Sequence, residues 1–147
     1  MQQWVAMNVD TSGANAPLAK KLDIGDDSVF TVLHAPPGFA ATLGDFGDAV
    51  WQRNLMPPID VVLAFFTDRA AVADEFDQLS DPARPDGAVW IAWPKPTSGR
   101  HTDITDDGLR ATLLRRGWID NKSIAVDDVW NALRFVVRPP DKRARRK

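Results

Sequence analysis

A chain of 147 residues and 16.3 kDa, 44% of them hydrophobic, has the size of one domain with a real core. It contains no cysteine, which excludes disulfides, thiolate zinc sites and a cysteine nucleophile. Its net charge of −2 is unevenly placed: residues 138–147 hold six Lys/Arg against one acid, leaving twelve basic and nineteen acidic residues in 1–137, so a body near −7 carries a tail near +5.

A body of that sign repels a phosphate backbone, which disfavours nucleic acid as a partner. Lys142, Arg143, Arg145 and Arg146 of the tail are the residues that would touch phosphates if one bound. The tail from 139 on reads as a solvated end, and residues 1–15, polar and without period, as a loose leader. The longest apolar run, Val61 to Phe66, is too short to cross a bilayer, and Met1-Gln2-Gln3-Trp4 opens no signal peptide, so the expected location is cytoplasmic, with no membrane partner.

Order is expected from Pro17. Proline suits a first helical position, Leu18 and Leu22 lie one turn apart, and Gly25 stops a short entry helix. Ser28 to Ala35 is a continuous apolar strand, followed by a short helix over Phe39 to Phe46 and a marginal strand over Ala49 to Arg53. Ile59 to Phe66 is a buried strand; Thr67 or Asp68 can cap the helix whose Val72, Phe76 and Leu79 share one side. The turn Pro82 to Gly87 leads into a central strand, Ala88 to Trp93, on which Trp90 and Trp93 face opposite sides. Thr105 with Asp106 and Asp107 starts a helix that Gly117 ends. Lys122 to Val126 and Ala132 to Val137 flank Asp127-Asp128-Val129-Trp130-Asn131 as an antiparallel pair. Arg134 within that pair needs a partner, and Asp127 or Asp128 is the expected one.

Alternating buried strands and helices predict an α/β fold of three layers, with a mostly parallel sheet of about six strands and a C-terminal antiparallel hairpin. That hairpin resembles the class I methyltransferase variant of the Rossmann-like fold, and the resemblance implies the strand order 2-1-3-4-6-5, with an early strand-helix unit missing. A second resemblance rests on dispersed motifs: Pro17-Leu18-Ala19-Lys20-Lys21-Leu22, Ala35-Pro36-Pro37-Gly38-Phe39, Thr67-Asp68-Arg69-Ala70, Trp93-Pro94-Lys95 with Ser98-Gly99 and Thr102-Asp103, and Trp130-x-x-Leu133-Arg134-Phe135. Over residues 16–138, taken as the single domain, the chain is similar to a bacterial family, domain of unknown function 3052. That family brings no established activity with it.

The class I resemblance implies a glycine-rich turn after the first strand and a ribose-binding acid after the second. The chain has Pro36-Pro37 in the first place and Gln52, Arg53 and Asn54 in the second. Two prolines remove two backbone donors and stiffen the turn. No cofactor is therefore expected, with S-adenosylmethionine only under an alternative reading as an atypical methyltransferase.

Ligands of open α/β sheets bind beyond the carboxyl ends of the strands. There the sequence gathers Lys95, Thr97, Ser98, Gly99 and Asp103 in one loop, with His34, Gly38 and Asp68 on neighbouring ones. A cation with hydroxyls and a permissive glycine suits a phosphate or carboxylate. His34 has no nucleophile or matching acid near it in sequence, so no catalytic residue and no metal ligand is assigned. The resulting expectation is a non-catalytic, methyltransferase-like module that binds a small anionic metabolite or a protein partner. A third reading is an interaction protein with a nucleic-acid-contacting tail.

Overall fold

The computed structural model describes residues 17–139. The leader 1–15 and the tail residues Lys142, Arg143, Arg145 and Arg146 lie outside the described residues. In chain order the elements are α1 (Leu18–Lys21), β1 (Val29–Leu33), α2 (Phe39–Leu43), β2 (Val50–Trp51), β3 (Val61–Phe65), α3 (Arg69–Ser80), a 3-10 turn (Asp81–Ala83), β4 (Ala88–Pro94), a second 3-10 turn (Pro96–Ser98), α4 (Asp106–Leu114), β5 (Trp118–Ala125) and β6 (Trp130–Val137).

The strands form one sheet in the order β2-β1-β3-β4-β6-β5, as the resemblance implied. β2, β1, β3 and β4 run parallel, and β6 pairs antiparallel with both β4 and β5. Every residue of β3 and of β4 is buried, which is why both read as unbroken apolar runs rather than alternating ones.

Strand alternation divides the core into two layers. Val62, Ala64, Val89, Ile91 and Trp93 face α3 and α4, whose Val72, Phe76, Leu79, Leu109 and Leu113 complete that layer. Val61, Leu63, Phe65, Trp90 and Ala92 face α1, α2 and Trp130 on the other side. Trp90 and Trp93 thus lie on opposite faces, as the spacing predicts. Trp90 is fully buried and donates its indole Nε1 proton to the Leu22 carbonyl at 3.1 Å, so its one polar atom is satisfied. Each fully buried side chain of α3 contributes about 1.5–3 kcal/mol of apolar burial. Val72, Phe76 and Leu79 hold the helix to the sheet in this way.

Several boundaries and one partner differ from the sequence expectation. α1 ends at Lys21 because Asp23 takes a left-handed conformation, φ 63°, before Gly25 is reached. α2 stops at Leu43, where Gly44 at φ 74° breaks the helix; Phe46 packs against Phe30 and Trp51 from the following loop. β2 is only two residues long. β5 begins at Trp118, directly after Gly117, and a bulge at Asn121 lets Asp120 face Phe135 and Lys122 face Arg134. Arg134 does not pair with Asp127 or Asp128. Asp127 instead accepts from the backbone of Val129 and Trp130, tightening the hairpin turn. The guanidinium reaches Asp23, Nε to Oδ2 3.4 Å, and donates to Asn121 Oδ1 at 3.2 Å. No helix among the described residues is long and apolar enough to cross a membrane.

Candidate ligand-binding rim

β1, β2, β3 and β4 deliver their C-terminal ends to one edge of the sheet, and the segments that follow them form a rim. After β1, His34 turns the chain at φ 57°, a left-handed value that costs a non-glycine residue free energy. Its Nε2 lies 2.7 Å from Oε1 of Glu75 on α3, and its ring meets Phe66 edge-on at 5.4 Å between centroids. The pair ties the end of β1 to the helix that follows β3. An imidazole fixed by a carboxylate has the make-up of a general base, but among the described residues no hydroxyl bonds to it. Glu75 lies 41 residues from His34. Sequence reading missed it for that reason.

The turn continues through Pro36 and Pro37 to Gly38, which sits at φ 80° with open space where a side chain would stand. Phe39 N donates to Pro36 O at 3.2 Å, so one amide of the turn closes it upon itself. After β2, Gln52 donates from Nε2 to the carbonyls of Asn54 (3.1 Å) and Met56 (2.6 Å), curling the connection to β3. Arg53 lays its guanidinium 4.1 Å over the Trp51 ring. Trp51 in turn meets Phe39 at 6.4 Å. The stacked cation therefore stands beside the β1 turn.

Asp68 has N-cap geometry (φ −117°, ψ 131°), yet its side chain makes no cap bond. The first amide of α3, Arg69 N, donates instead to Asp103 Oδ1 at 2.7 Å, from the loop after β4. Thr102 reinforces this junction by donating to Thr67 O at 2.7 Å and accepting from Ile104 N at 3.1 Å. Of the loop residues named from sequence, Ser98 donates to Lys95 O at 2.7 Å and accepts from Arg100 N at 3.1 Å. Gly99 closes that turn at φ 79°. Thr97 is exposed, and Lys95 is anchored by its backbone N to Val129 O at 2.7 Å. The structure thus joins Asp68 to Asp103 through Arg69, and His34 to the same helix through Glu75. Ser98 and Thr102 hold the loop's shape with their hydroxyl protons.

Arg110 pairs with Asp107 and Asp120, Arg116 with Asp77, and Lys122 and Arg134 share Asp23. The hydrogen bond that Arg110 donates to Asp120, followed by the Asp120 charge, raises its guanidinium above its already high ordinary pKa. Arg53, Arg69, Lys95 and Arg100 on the rim enter no ion pair among the described residues, and neither do Lys20, Lys21, Arg84, Arg115 and Arg138. A cleft of about 320 Å³ lies at the opposite edge, lined by Pro17, Lys20, Ile24, Asp26, Asp45 and Phe46. It stands at the N-terminal ends of β1 and β2, away from the edge where such sheets take ligands.

No family model matches the chain, and no curated protein matches it. The resemblance to domain of unknown function 3052 rests on its motifs alone. Solved structures do match. A ribosomal protein L11 methylase of Lactobacillus delbrueckii subsp. bulgaricus superposes at TM-score 0.55 and 11% identity, over 90% of this chain and 81% of its own. A SAM-dependent methyltransferase of Aquifex aeolicus gives 0.53 and 11%, over 88% and 94%. The magnesium protoporphyrin IX methyltransferase of Synechocystis, with bound SAH, gives 0.52 and 10%, over 90% and 88%.

The fold is that of the class I methyltransferases.

These structures correct one expectation from sequence. The absence of a cofactor was argued from the lost turn and the lost acid, but proteins of this fold have been solved with S-adenosylmethionine or S-adenosylhomocysteine bound. The missing turn and acid therefore do not exclude such a cofactor. The residues present match that cofactor poorly: the β1 turn has lost two donors to proline, and Gln52, where an acid would bind the ribose hydroxyls, has its amide on carbonyls of its own loop.

Proposed function

We propose that this protein is a methyltransferase-like binding module that takes a small anionic ligand at the C-terminal rim of its sheet and transfers no group itself. One observation carries the reading. Lys95, Arg69, Arg100 and Arg53 gather on that rim without ion pairs among the described residues, in a body of net charge near −7 whose cations on α4, β5 and β6 are largely paired. Unpaired cations with fixed backbones attract an anion at little cost in reorganisation. Against group transfer stands the bonding at the rim: His34 holds Glu75, and Ser98 and Thr102 give their protons to carbonyls.

The test is calorimetric titration of the full chain with inorganic phosphate, AMP and S-adenosylhomocysteine, repeated on Lys95→Ala and Arg69→Ala. Binding of an anionic probe that weakens at least several-fold in either variant supports the reading. Silence toward all three probes removes it. Methyl transfer from S-adenosylmethionine to any acceptor, abolished by His34→Ala, would replace it with the enzyme reading.

A further inference from the structure

We infer that the rim's ligand is a nucleotide carrying a phosphate on its ribose, and that Arg53 reads that phosphate; this rests on the proposed anion-binding role of the rim. In doubly wound sheets the group just beyond the strand beside β1 reads the ribose. An acid there accepts from its hydroxyls, and an arginine nearby accommodates a phosphate in their place. In this chain the segment after β2 offers Gln52, Arg53 and Asn54. Gln52 is bound to the carbonyls of Asn54 and Met56, and its exchange of an acid for an amide removes the charge that would repel a phosphate.

Arg53 is left as the side chain that meets the ribose. Its guanidinium carbon stands 4.1 Å over the Trp51 ring, and Trp51 meets Phe30, Phe39 and Phe46. An arginine packed on an aromatic ring keeps N–H donors with which to grip a phosphate through two parallel hydrogen bonds. Because Phe39 directly follows Gly38, the stacked pair borders the β1 turn, where ligands of this fold approach the backbone.

The rest of the rim fits the same ligand. Pro36 and Pro37 have removed donors from the turn that would otherwise cradle the ligand, so recognition has moved from backbone amides to side-chain cations. Lys95 leaves the end of β4, three strands from β2. At roughly 4.8 Å per strand, the strands that carry the two residues stand about 14 Å apart along the rim.

The experiment is titration calorimetry at fixed ionic strength with AMP, adenosine 2′,5′-bisphosphate and adenosine 3′,5′-bisphosphate, on the wild-type chain, Arg53→Ala and Arg53→Lys. One bisphosphate is expected to bind roughly tenfold or more tightly than AMP, the scale of hydrogen bonds to a charged group. Arg53→Ala should reduce that ratio to near one by lowering bisphosphate affinity more than AMP affinity, and Arg53→Lys should restore only part of it. Arg53 is exposed, so the variants are expected to fold; a thermal melt checks this. Equal affinity for AMP and both bisphosphates, or a preference that survives Arg53→Ala, overturns the inference while leaving the anion-binding reading intact. Failure of every adenosine probe, of inorganic phosphate and of S-adenosylhomocysteine to bind overturns both.

Discussion

The helix α3 tests whether contacts across the rim, rather than local sequence, set its N-terminus. Asp68 occupies the N-cap position but caps nothing, while Asp103 accepts the Arg69 amide at 2.7 Å from the loop after β4. Replacing a capping carboxylate by alanine costs about 1 kcal/mol, within a range of roughly 0.5–2. Its charge beside the helix N-terminus contributes about 0.3–1 kcal/mol more. Asp103→Ala should therefore destabilise the protein by about 1–2 kcal/mol, a fall in Tm of about 3–6 °C for a chain of this size. Asp68→Ala loses only the charge–dipole part, about 0.5 kcal/mol or less. Asp103→Asn keeps an acceptor in place and should fall between the two. Urea unfolding followed by circular dichroism, with thermal melts alongside, measures all three. If Asp68→Ala costs as much as Asp103→Ala, the cross-rim cap is not what holds this helix end.

Further perturbations follow from the core and the turns. Thr31 is buried at 1% exposure with an Oγ1 that has no partner, so Thr31→Val should stabilise the protein by about 1 kcal/mol in the same urea experiment. A Cβ at Gly87 would collide with Ala83 O and stand 2.8 Å from Ile59 O; since backbone cannot move aside, Gly87→Ala should cost about 3 kcal/mol or more. Gly25→Ala meets only ordinary contacts at 3.6 and 3.7 Å and should change stability by less than about 1 kcal/mol, which makes it the control. Trp90→Phe removes the buried hydrogen bond to Leu22 O along with part of the ring, for a loss of about 2 kcal/mol measured as a lowered urea midpoint.

The fold was legible because its signals are local. Unbroken apolar runs in β3 and β4, helical spacing in α3 and the antiparallel pair at the end were enough, with the class I resemblance, to predict the sheet order. What the sequence hid are meetings between distant segments. The Asp103 cap of α3 spans 34 residues, and Asp68, in the position local rules favour, concealed it. Likewise Asp127 and Asp128 are the acids nearest to Arg134 in sequence, yet Asp23, brought over by the turn after α1, takes the guanidinium. From sequence Thr97 and Ser98 are expected to bond a ligand; Ser98, like Thr102, uses its hydroxyl to fix backbone, a role that composition does not distinguish from ligand binding. Arg53 was noted from sequence only as part of a missing acid. Its packing on Trp51 gives it a role of its own.

Both borders of the sheet are blunted, by different means. On one side β2 offers only Val50 and Trp51, too little backbone to template an incoming strand. On the other, β5 carries Asp120 and Lys122 around the bulge at Asn121, and the bulged residue turns its Oδ1 inward to Arg134. Strand-to-strand growth between copies is thereby discouraged at each border.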